Sequence, residues 1–261
     1  MSIFIGTSGY SYPHWIDNFY PKDLPQSKWL EHYSKFFNTV ELNVTFYRLP
    51  QESAFKNWYK RTPKDFLFVV KGSRFITHIK KLKGVEDSVK LFIKDRAEIL
   101  KEKLGLILWQ LPPNFKVAES CKQSGIRLEE FERFLKLLTP YRLSHIAQFA
   151  FEFRNETWFN KEIYDLLKNY NCALVIADSP QLRSLSFAGQ AQYPLTADFV
   201  YIRFHGGKIL YGSEYSEKEL KEWTSKIKKW SKGRDVFVYF NNDFQGFAVK
   251  NALKLKKFLK A

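Results

Sequence analysis

Eight short apolar runs, rich in Val, Ile, Leu and Phe, alternate with stretches of helical periodicity along this chain of 261 residues. Such runs are typical of parallel strands that are buried on both faces. Parallel strands joined by helices require right-handed crossovers, and eight such units suit closure into a barrel. The sequence therefore predicts a (β/α)8 TIM-type barrel of the α/β class, with strands at residues 2–6, 38–43, 66–71, 104–110, 148–153, 172–177, 198–204 and 235–241.

Apolar residues at helical spacing predict helices between most of these strands, within residues 29–37, 55–59, 88–103, 127–138, 160–169 and 246–260. Ser216 and Glu219 have the spacing of a capping box, which predicts a further helix that runs to about Trp230. Residues 179–197 are the weakest part of the pattern, because Ser, Pro, Gln and Gly dilute any helical period there. No linker, repeat or low-complexity segment divides the chain, so we expect one domain over residues 1–261.

The net charge of +15 favours acidic partners such as nucleic acid, anionic membranes or phosphorylated substrates. Most lysines lie in helix-like stretches, however, where a solvated outer face explains them equally well. Cys121 and Cys172 form neither a metal-ligand pair nor a disulfide framework, which fits a reducing compartment. No segment reads as a signal peptide or is apolar over a length that spans a bilayer. We therefore expect a cytoplasmic protein with no membrane partner, and the oligomeric state stays open.

Polar residues cluster at the carboxyl ends of seven of the predicted strands, where they share one strand face. In strand two, for example, Glu41 and Asn43 alternate with apolar residues. Barrel active sites are built at this end, so the pattern predicts a functional site there. The alternative is that these groups only pair with one another inside the barrel mouth. The candidates for proton transfer are Glu41, Glu152, Asp178 and His205.

The same strand ends and the loops that follow them supply cations, amides and aromatic rings. Guanidinium groups suit bidentate binding of phosphate or carboxylate, and rings suit the face of a sugar or a base. We expect Lys71, Arg154 and Arg203 to bind the anionic group of a small substrate. The full set of predicted substrate-binding residues is Tyr10, Trp15, Asn43, Tyr47, Arg48, Lys71, Arg74, His78, Gln110, Arg154, Trp158, Arg203, Tyr239, Asn241 and Asp243.

Neither a cofactor nor a metal is expected at this site. No phosphate-binding or dinucleotide-binding glycine fingerprint is present, although Gly206 and Gly207 offer a weak phosphate-binding signal. Of the five histidines, His205 lies at a strand end, and His78 and His14 would have to reach it from the loops. This number is too small for a multinuclear zinc site. The alternative is one oxygen-ligated Mg²⁺ or Mn²⁺ held by His205 with Glu41, Glu152 or Asp178.

Nine short motifs follow one another along the chain: G-T-S-G-Y (6–10), F-Y-P (19–21), V-E-L-N-V-T-F-Y-R (40–48), R-F-I-T-H (74–78), Q-L-P-P (110–113), E-F-R-N-E-T-W-F (152–159), A-D-S-P (177–180), Y-I-R-F-H-G (201–206) and Y-F-N-N-D (239–243). In this order they resemble the YecE-like family, a domain of unknown function (DUF72), from about residue 2 to residue 258. The resemblance implies a TIM-barrel-like fold, distantly similar in architecture to the endonuclease IV and xylose isomerase group, and no settled activity. Two positions depart from the family pattern: Tyr10 stands where Trp is usual, and Asn155 where His is frequent. Asn155 puts in doubt any role for a histidine after strand five.

Three functions remain open on the sequence. The first is an enzyme, a hydrolase, lyase or isomerase, that acts on a small phosphorylated or polyhydroxylated molecule. The second is a nucleic-acid-binding or nucleic-acid-processing protein, and the third is a non-catalytic barrel that binds an anionic ligand. No G-x-S-x-G nucleophile motif is present. Lys71, at a strand end, has two interpretations, an anion-binding cation or a Schiff-base amine, and the nearby arginines favour the first.

Overall fold

The computed structural model describes residues 1–118, 125–180 and 193–260. Every strand pairing in these ranges is parallel. The strands are β1 (Ile3–Thr7), β2 (Thr39–Leu42), β3 (Leu67–Lys71), β4 (Leu104–Gln110), β5 (Gln148–Glu152), β6 (Ala173–Leu174), β7 (Ile176–Asp178), β8 (Phe199–Phe204) and β9 (Asp235–Phe240). They lie in two sheets, ordered β1-β9-β8-β7 and β2-β3-β4-β5-β6.

The helices that surround these strands are α1 (Trp29–Tyr33), α2 (Val44–Tyr47), α3 (Glu52–Lys60), α4 (Glu86–Ile93), α5 (Leu128–Leu143), α6 (Lys161–Asn169), α7 (Glu217–Trp230) and α8 (Phe247–Leu259). The predicted capping box is confirmed, because the Ser216 hydroxyl accepts from the Glu219 amide at the start of α7. The periodicity did not predict α2 or the π-helical turn Phe75–Ile79. Both follow a strand within a few residues and present their side chains at the barrel mouth.

The predicted pairing of the first and last strands is confirmed. β1 lies parallel to β9, in a register that runs from Ile3 opposite Val236 to Thr7 opposite Phe240. The polypeptide therefore closes on itself, and the fold is the predicted TIM-barrel-like one.

One of the two junctions between the sheets lies inside the predicted sixth strand, residues 172–177. The structure divides this segment into β6 and β7, with Val175 between them. β6 pairs with β5, whereas β7 pairs with β8, so the chain changes partner at this point. The Val175 amide still donates to the Phe151 carbonyl at 2.9 Å, which keeps the barrel wall continuous. Of the weakly patterned segment 179–197, residues 181–192 lie outside the described ranges.

The other junction joins β1 to β2 through one backbone bridge, in which the Gly9 amide donates to the Glu41 carbonyl at 2.8 Å, and through a side chain. The Tyr33 hydroxyl accepts from the Thr7 amide at 3.0 Å and lies 3.1 Å from the Thr39 carbonyl, to which it donates. This hydroxyl thus bridges two backbone groups on neighbouring strands. Gly6 permits the close approach, because a Cβ atom there would lie 2.4 Å from the Thr39 carbonyl oxygen. Closure of the barrel at this junction depends on a glycine and a buried tyrosine.

The barrel interior is filled unequally from its two sides. β5, β6 and β7 contribute the small side chains of Ala150, Ala173 and Ala177, whereas β8 and β9 contribute large rings, among them Phe199 and Phe237. Large residues opposite small ones fill a barrel of this size without leaving a channel. The rings above this layer, Tyr201 and Tyr239, are also fully buried. The interior is therefore solid up to the layer of polar groups at the strand ends.

We predict that Tyr33→Phe lowers the free energy of unfolding by about 1–3 kcal/mol, because the Thr7 amide and the Thr39 carbonyl lose a buried partner. Urea denaturation followed by tryptophan fluorescence measures the loss. Tyr170→Phe is the matched control, since the Tyr170 hydroxyl donates to Glu132 at a partly exposed position. Equal stability of the two variants would contradict the role assigned to Tyr33.

Candidate active site

The carboxyl ends of the strands bring charged side chains from across the barrel into contact. Arg203 of β8 lies between Glu41 of β2 and Glu152 of β5, and all three side chains are fully buried. Its Nη2 lies 2.6 Å from Glu41 Oε1, and its Nη1 donates to Glu152 Oε2. The Tyr201 hydroxyl donates to the second oxygen of Glu41 at 2.5 Å. A single guanidinium therefore joins two carboxylates that belong to a different sheet from its own.

Both carboxylates are held in the ionised form. Burial alone raises the pKa of Glu41, but Arg203 and Lys71 lower it further than burial raises it, so the net shift is downward. Burial likewise opposes ionisation of Glu152, and Arg154, Arg203 and His205 together bring its pKa well below the ordinary value. These acids are poor proton donors at neutral pH, because their charge is already paired.

His205 lies beside this network as a neutral imidazole. Its Nε2 is 3.1 Å from Glu152 Oε1 and its Nδ1 is 3.1 Å from the Asn241 amide nitrogen. Arg154 Nη2 also lies 3.1 Å from this Nε2, so the imidazole contacts both members of the Arg154–Glu152 ion pair. Burial lowers the pKa of His205 to about 4, and Arg154, also ion-paired with Glu152, acts in the same direction.

A cavity of about 620 Å³ lies at the strand ends. Amide, phenol, carboxylate and ammonium groups line it together with a few apolar side chains. The lining residues are Tyr12, Asn43, Tyr47, Lys71, Gln110, Leu210, Tyr211, Gly212, Asn241, Asp243 and Phe244. We call this cavity the mouth pocket. Among the described residues, the Asn43 side-chain oxygen is buried and has no hydrogen-bond donor.

Lys71 supplies the ammonium group of the mouth pocket. It is 8% exposed, and its Nζ lies 4.4 Å from the centre of the Phe46 ring. Within residues 1–118, 125–180 and 193–260 this Nζ has neither a hydrogen bond nor an ion pair. Burial and the neighbouring Arg203 lower the pKa of Lys71 to about 8. The amine is thus far more easily deprotonated than an ordinary lysine, and its donors are unused.

Asp243 supplies the carboxylate of the mouth pocket. Its Oδ1 accepts from the Trp15 indole at 2.8 Å, and its Oδ2 lies 2.9 Å from His14 Nε2. Burial raises the pKa of Asp243 to about 6. A carboxyl group with this pKa in a pocket is suited to proton transfer near neutral pH.

Three predicted substrate-binding residues, Arg48, Arg74 and His78, do not line the mouth pocket. Arg48 and Arg74 are exposed, and Tyr47, which reaches the pocket, is 75% exposed. His78 packs its ring edge-to-face on Phe46 and contacts Thr77 Oγ1 at 2.8 Å. Burial lowers the pKa of His78 to about 4, as do Lys71 and Arg74.

Four predicted contacts face away from the mouth pocket. Trp158 is fully buried, and its indole donates to the Phe115 carbonyl among other core rings. Tyr10 accepts from the Trp58 indole on the outer side of the barrel. Tyr239 is buried beneath the polar layer, where its hydroxyl contacts Thr39 Oγ1. Trp15 is buried as well, and orients Asp243.

The structure also shows the contacts of Asp178 and of the three cations predicted to bind an anion. Asp178 is buried, and its carbonyl accepts from the His205 amide at 2.8 Å. Both terminal nitrogens of Arg203 face carboxylates, and Arg154 pairs with Glu152. Of the three cations, Lys71 is the one whose terminal nitrogen opens on the mouth pocket without a described partner.

Sequence reasoning missed the pocket residues that loops contribute. Tyr12 lies between β1 and α1, and its hydroxyl donates to the Ser8 carbonyl at 2.6 Å. Leu210, Tyr211 and Phe244 follow β8 and β9. The spacing of Ser8 and Tyr12 gave no periodic signal, and Tyr211 and Phe244 lie seven and four residues beyond the ends of β8 and β9.

A larger surface cavity, of about 760 Å³, lies beside α5 and α6. None of the residues that line it, among them Glu129 and Glu156, is buried. The mouth pocket is the better candidate site because the buried Lys71 and the carboxyl group of Asp243, with its raised pKa, both line it.

Metal-binding clusters and reactive thiols are two further kinds of site to consider among the described residues. No three His, Cys, Asp or Glu side chains there form a group suited to hold a metal ion. Burial raises the pKa of the Cys172 thiol to about 12, which makes it unreactive. Cys121 lies outside the described ranges. No helix in the described part of the chain has the length and apolar character to cross a bilayer.

Comparison with known proteins identifies the family. The model of the protein of unknown function DUF72 matches residues 4–261. The chain belongs to the DUF72 family. It is 27% identical to the UPF0759 protein YunF of Bacillus subtilis, over 98% of this chain and 94% of YunF. It is 33% identical to the UPF0759 protein YecE of Escherichia coli over 113 residues, which are 43% of this chain and 39% of YecE.

Solved structures agree with this assignment and with the fold. A DUF72 family protein from Thermotoga maritima is 29% identical, covers 100% of both chains and superposes with a TM-score of 0.77. A D-psicose 3-epimerase from Clostridium cellulolyticum, solved with D-tagatose, is 12% identical over 100% of this chain and 98% of its own, with a TM-score of 0.56. This second similarity concerns the barrel fold alone. The family resemblance expected from the nine motifs is thus confirmed.

We predict that Arg203→Met lowers the free energy of unfolding by about 3–5 kcal/mol, because Glu41 and Glu152 keep their buried charges and lose their shared partner. Thermal and urea denaturation measure the change. Lys161→Met is the control, since Lys161 forms an exposed ion pair with Asp165 and its loss should leave stability close to that of the parent. A parent-like Arg203→Met variant would contradict the central place of this network.

We predict that His205→Gln flattens the pH dependence of stability between about pH 4 and 6.5. An unfolded histidine binds a proton below about 6.5, whereas folded His205 resists protonation down to about 4, so the parent loses stability as the pH falls through this window. The loss attributable to His205 is up to about 3 kcal/mol. Unfolding free energies at half-unit pH steps test this, with exposed His145→Gln as the control. A His205→Gln curve parallel to that of the parent would contradict it.

Proposed function

We propose that this DUF72 protein is an enzyme that acts on a small polyhydroxylated or phosphorylated molecule bound in the mouth pocket. The observation that carries the proposal is the Lys71 ammonium, which is buried, opens on the pocket and has no described hydrogen-bond or ion-pair partner. A buried cation without a partner is costly, and a ligand oxygen that binds it relieves that cost.

The remaining pocket groups support a hydroxyl-rich ligand. Asn43, Gln110 and Asn241 offer amides that can both donate to and accept from hydroxyl groups. Tyr12 and Tyr211 add phenol rings, which suit the apolar face of a sugar. Solved D-psicose 3-epimerases with D-fructose or D-tagatose have the same fold, so a barrel of this type can accommodate a small sugar.

Asp243 is the proton-transfer group that the pocket favours. With a pKa of about 6, it is present in both protonation states near neutral pH. Its neighbour His14 is exposed and provides an exchange route to solvent. Glu41, Glu152 and His205, expected on the sequence to move protons, fit a supporting role instead, because paired charges and burial fix their protonation states.

A second candidate function, nucleic-acid binding, has one specific observation in its favour. The exposed rings of Tyr47 and Phe244 line the mouth pocket, and the exposed pairs Tyr47-Arg48 and Arg74-Phe75 each set a ring next to a cation along the chain. Rings and cations so interleaved are typical of surfaces that bind single strands. Fluorescence anisotropy with labelled single-stranded DNA and RNA tests this candidate. Binding that weakens steeply with salt would favour it over the enzyme, and its absence at low salt would exclude it.

We predict that Lys71→Met weakens the binding of inorganic phosphate or a small sugar phosphate by about 10- to 100-fold, because a charge-assisted hydrogen bond is lost. Isothermal titration calorimetry measures the affinity. Lys71→Arg, which keeps the positive charge, should bind within a few-fold of the parent, and Lys168→Met on the exposed face of α6 controls for net charge. If Lys71→Met binds as tightly as Lys168→Met, the pocket ammonium is not the anion contact.

A turnover screen over small sugars and sugar phosphates tests the enzyme directly. Activity that Asp243→Asn abolishes, while calorimetric binding persists, supports the proton-transfer role. Binding without turnover of any class would favour the non-catalytic anion-binding barrel.

A further inference from the structure

Two lysines in the described part of the chain are buried, and they differ in what surrounds the amine. Lys103 is 4% exposed, and its Nζ donates to the carbonyls of Tyr59 and Thr62 at 2.6 and 2.7 Å. It also lies 3.2 Å from Thr62 Oγ1, so all three of its donors are used. Lys71 is 8% exposed, has no such acceptors and lines a cavity. Lys103 therefore has a structural role, whereas the Lys71 amine, although mostly buried, lines a cavity and is accessible to a ligand.

We infer that the Lys71 amine is a nucleophile that forms an imine with the carbonyl group of a small hydroxyaldehyde or hydroxyketone bound in the mouth pocket. The inference rests on the proposed function for the pocket as a substrate site, and it specifies the substrate class: a polyhydroxylated molecule with an aldehyde or ketone.

The surroundings of Lys71 favour the neutral amine that such a reaction needs. Burial disfavours the ammonium most, and Arg203 and Arg154 act in the same direction, while Glu41 and Glu152 oppose them without cancelling the shift. The Phe46 ring lies 4.4 Å from Nζ, and nearby His78 adds no positive charge, because its pKa is about 4. At pH 7, an amine with a pKa of about 8 has roughly a two-hundred-fold larger neutral fraction than an exposed lysine of ordinary pKa.

The reaction balances with groups present in the mouth pocket. The Nζ lone pair attacks the carbonyl carbon, a nitrogen–carbon bond forms, and the carbonyl oxygen takes a proton to give a carbinolamine. The carbon–oxygen bond then breaks, the oxygen leaves as water with a second proton, and the carbon–nitrogen double bond forms. Asp243 opens on the same pocket and is the acid suited to protonate the departing hydroxyl. Both hydrogens of the water come from the amine overall, so no oxidant or reductant is needed.

Reductive trapping with glycolaldehyde and sodium borohydride tests this inference on the intact protein. The hydride reduces the imine to a secondary amine, which adds to Lys71 the mass of the probe less one oxygen atom. Peptide mass spectrometry quantifies the adduct at every lysine after brief exposure at pH 7. We expect Lys71 to carry at least tenfold more adduct than either exposed Lys56 or Lys161, and Lys103, buried but fully hydrogen-bonded, to carry no more than they do.

Calorimetry on the same samples separates this inference from the proposed function. If sugar phosphate binds the parent and Lys71 labels no faster than exposed lysines, the imine inference fails and the proposed function stands. If neither binding nor selective labelling occurs, both fail. Lys71→Arg should retain phosphate affinity and lose the selective adduct at residue 71. Because the parent protein carries the decisive measurement, the test does not depend on any variant folding.

Discussion

The rest of the site depends on the ion network of Arg203. This guanidinium belongs to the β1-β9-β8-β7 sheet, and the carboxylates that it bridges, Glu41 and Glu152, belong to the other sheet. It therefore fastens the two sheets together at a point where they are otherwise joined only at their edges. A buried ion pair seldom adds net stability over apolar packing, but removal of one partner is costly. The network is therefore better explained as specifying how the two sheets come together than as adding stability. The network thereby fixes the ends of β2, β5 and β8 relative to one another.

The alternation of side chains along strands predicted much of this arrangement. Glu41, Glu152 and Arg203 all lie on the barrel side of their strands, and the sequence pattern alone indicated that they share one end. Alternation fixes the face, however, and not the depth. Whether Arg203 reaches a ligand or a carboxylate depends on the stagger between β2, β5 and β8, which periodicity does not contain. Hence the prediction that the end is polar agrees with the structure, while the anion contact that the sequence assigned to Arg203 does not follow from it.

Loop residues were harder to predict because their side chains follow no period. Trp158 comes directly after a strand, as a pocket residue would, yet its indole finds a carbonyl acceptor inside the core. Tyr12 carries no periodic signal, yet its hydroxyl bonds to the β1 terminus and its ring lines the pocket. Likewise, the division of the sixth strand at Val175 reflects a change of strand partner, which is a property of the closed barrel rather than of the local sequence.

Lys71 has no described hydrogen-bond or ion-pair partner because the neighbouring acids pair with arginines. The carboxylates of Glu41 and Glu152 each have a guanidinium within hydrogen-bond distance. The planar fork of a guanidinium matches a carboxylate better than an ammonium does. Glu41 and Glu152 therefore attract Lys71 without forming an ion pair with it, while Arg203 repels it and burial removes its hydration. The amine is left in contact with the Phe46 ring and lines the mouth pocket. Because the fold pairs its buried acids with arginines, it leaves the Lys71 amine able to contact a ligand in the mouth pocket.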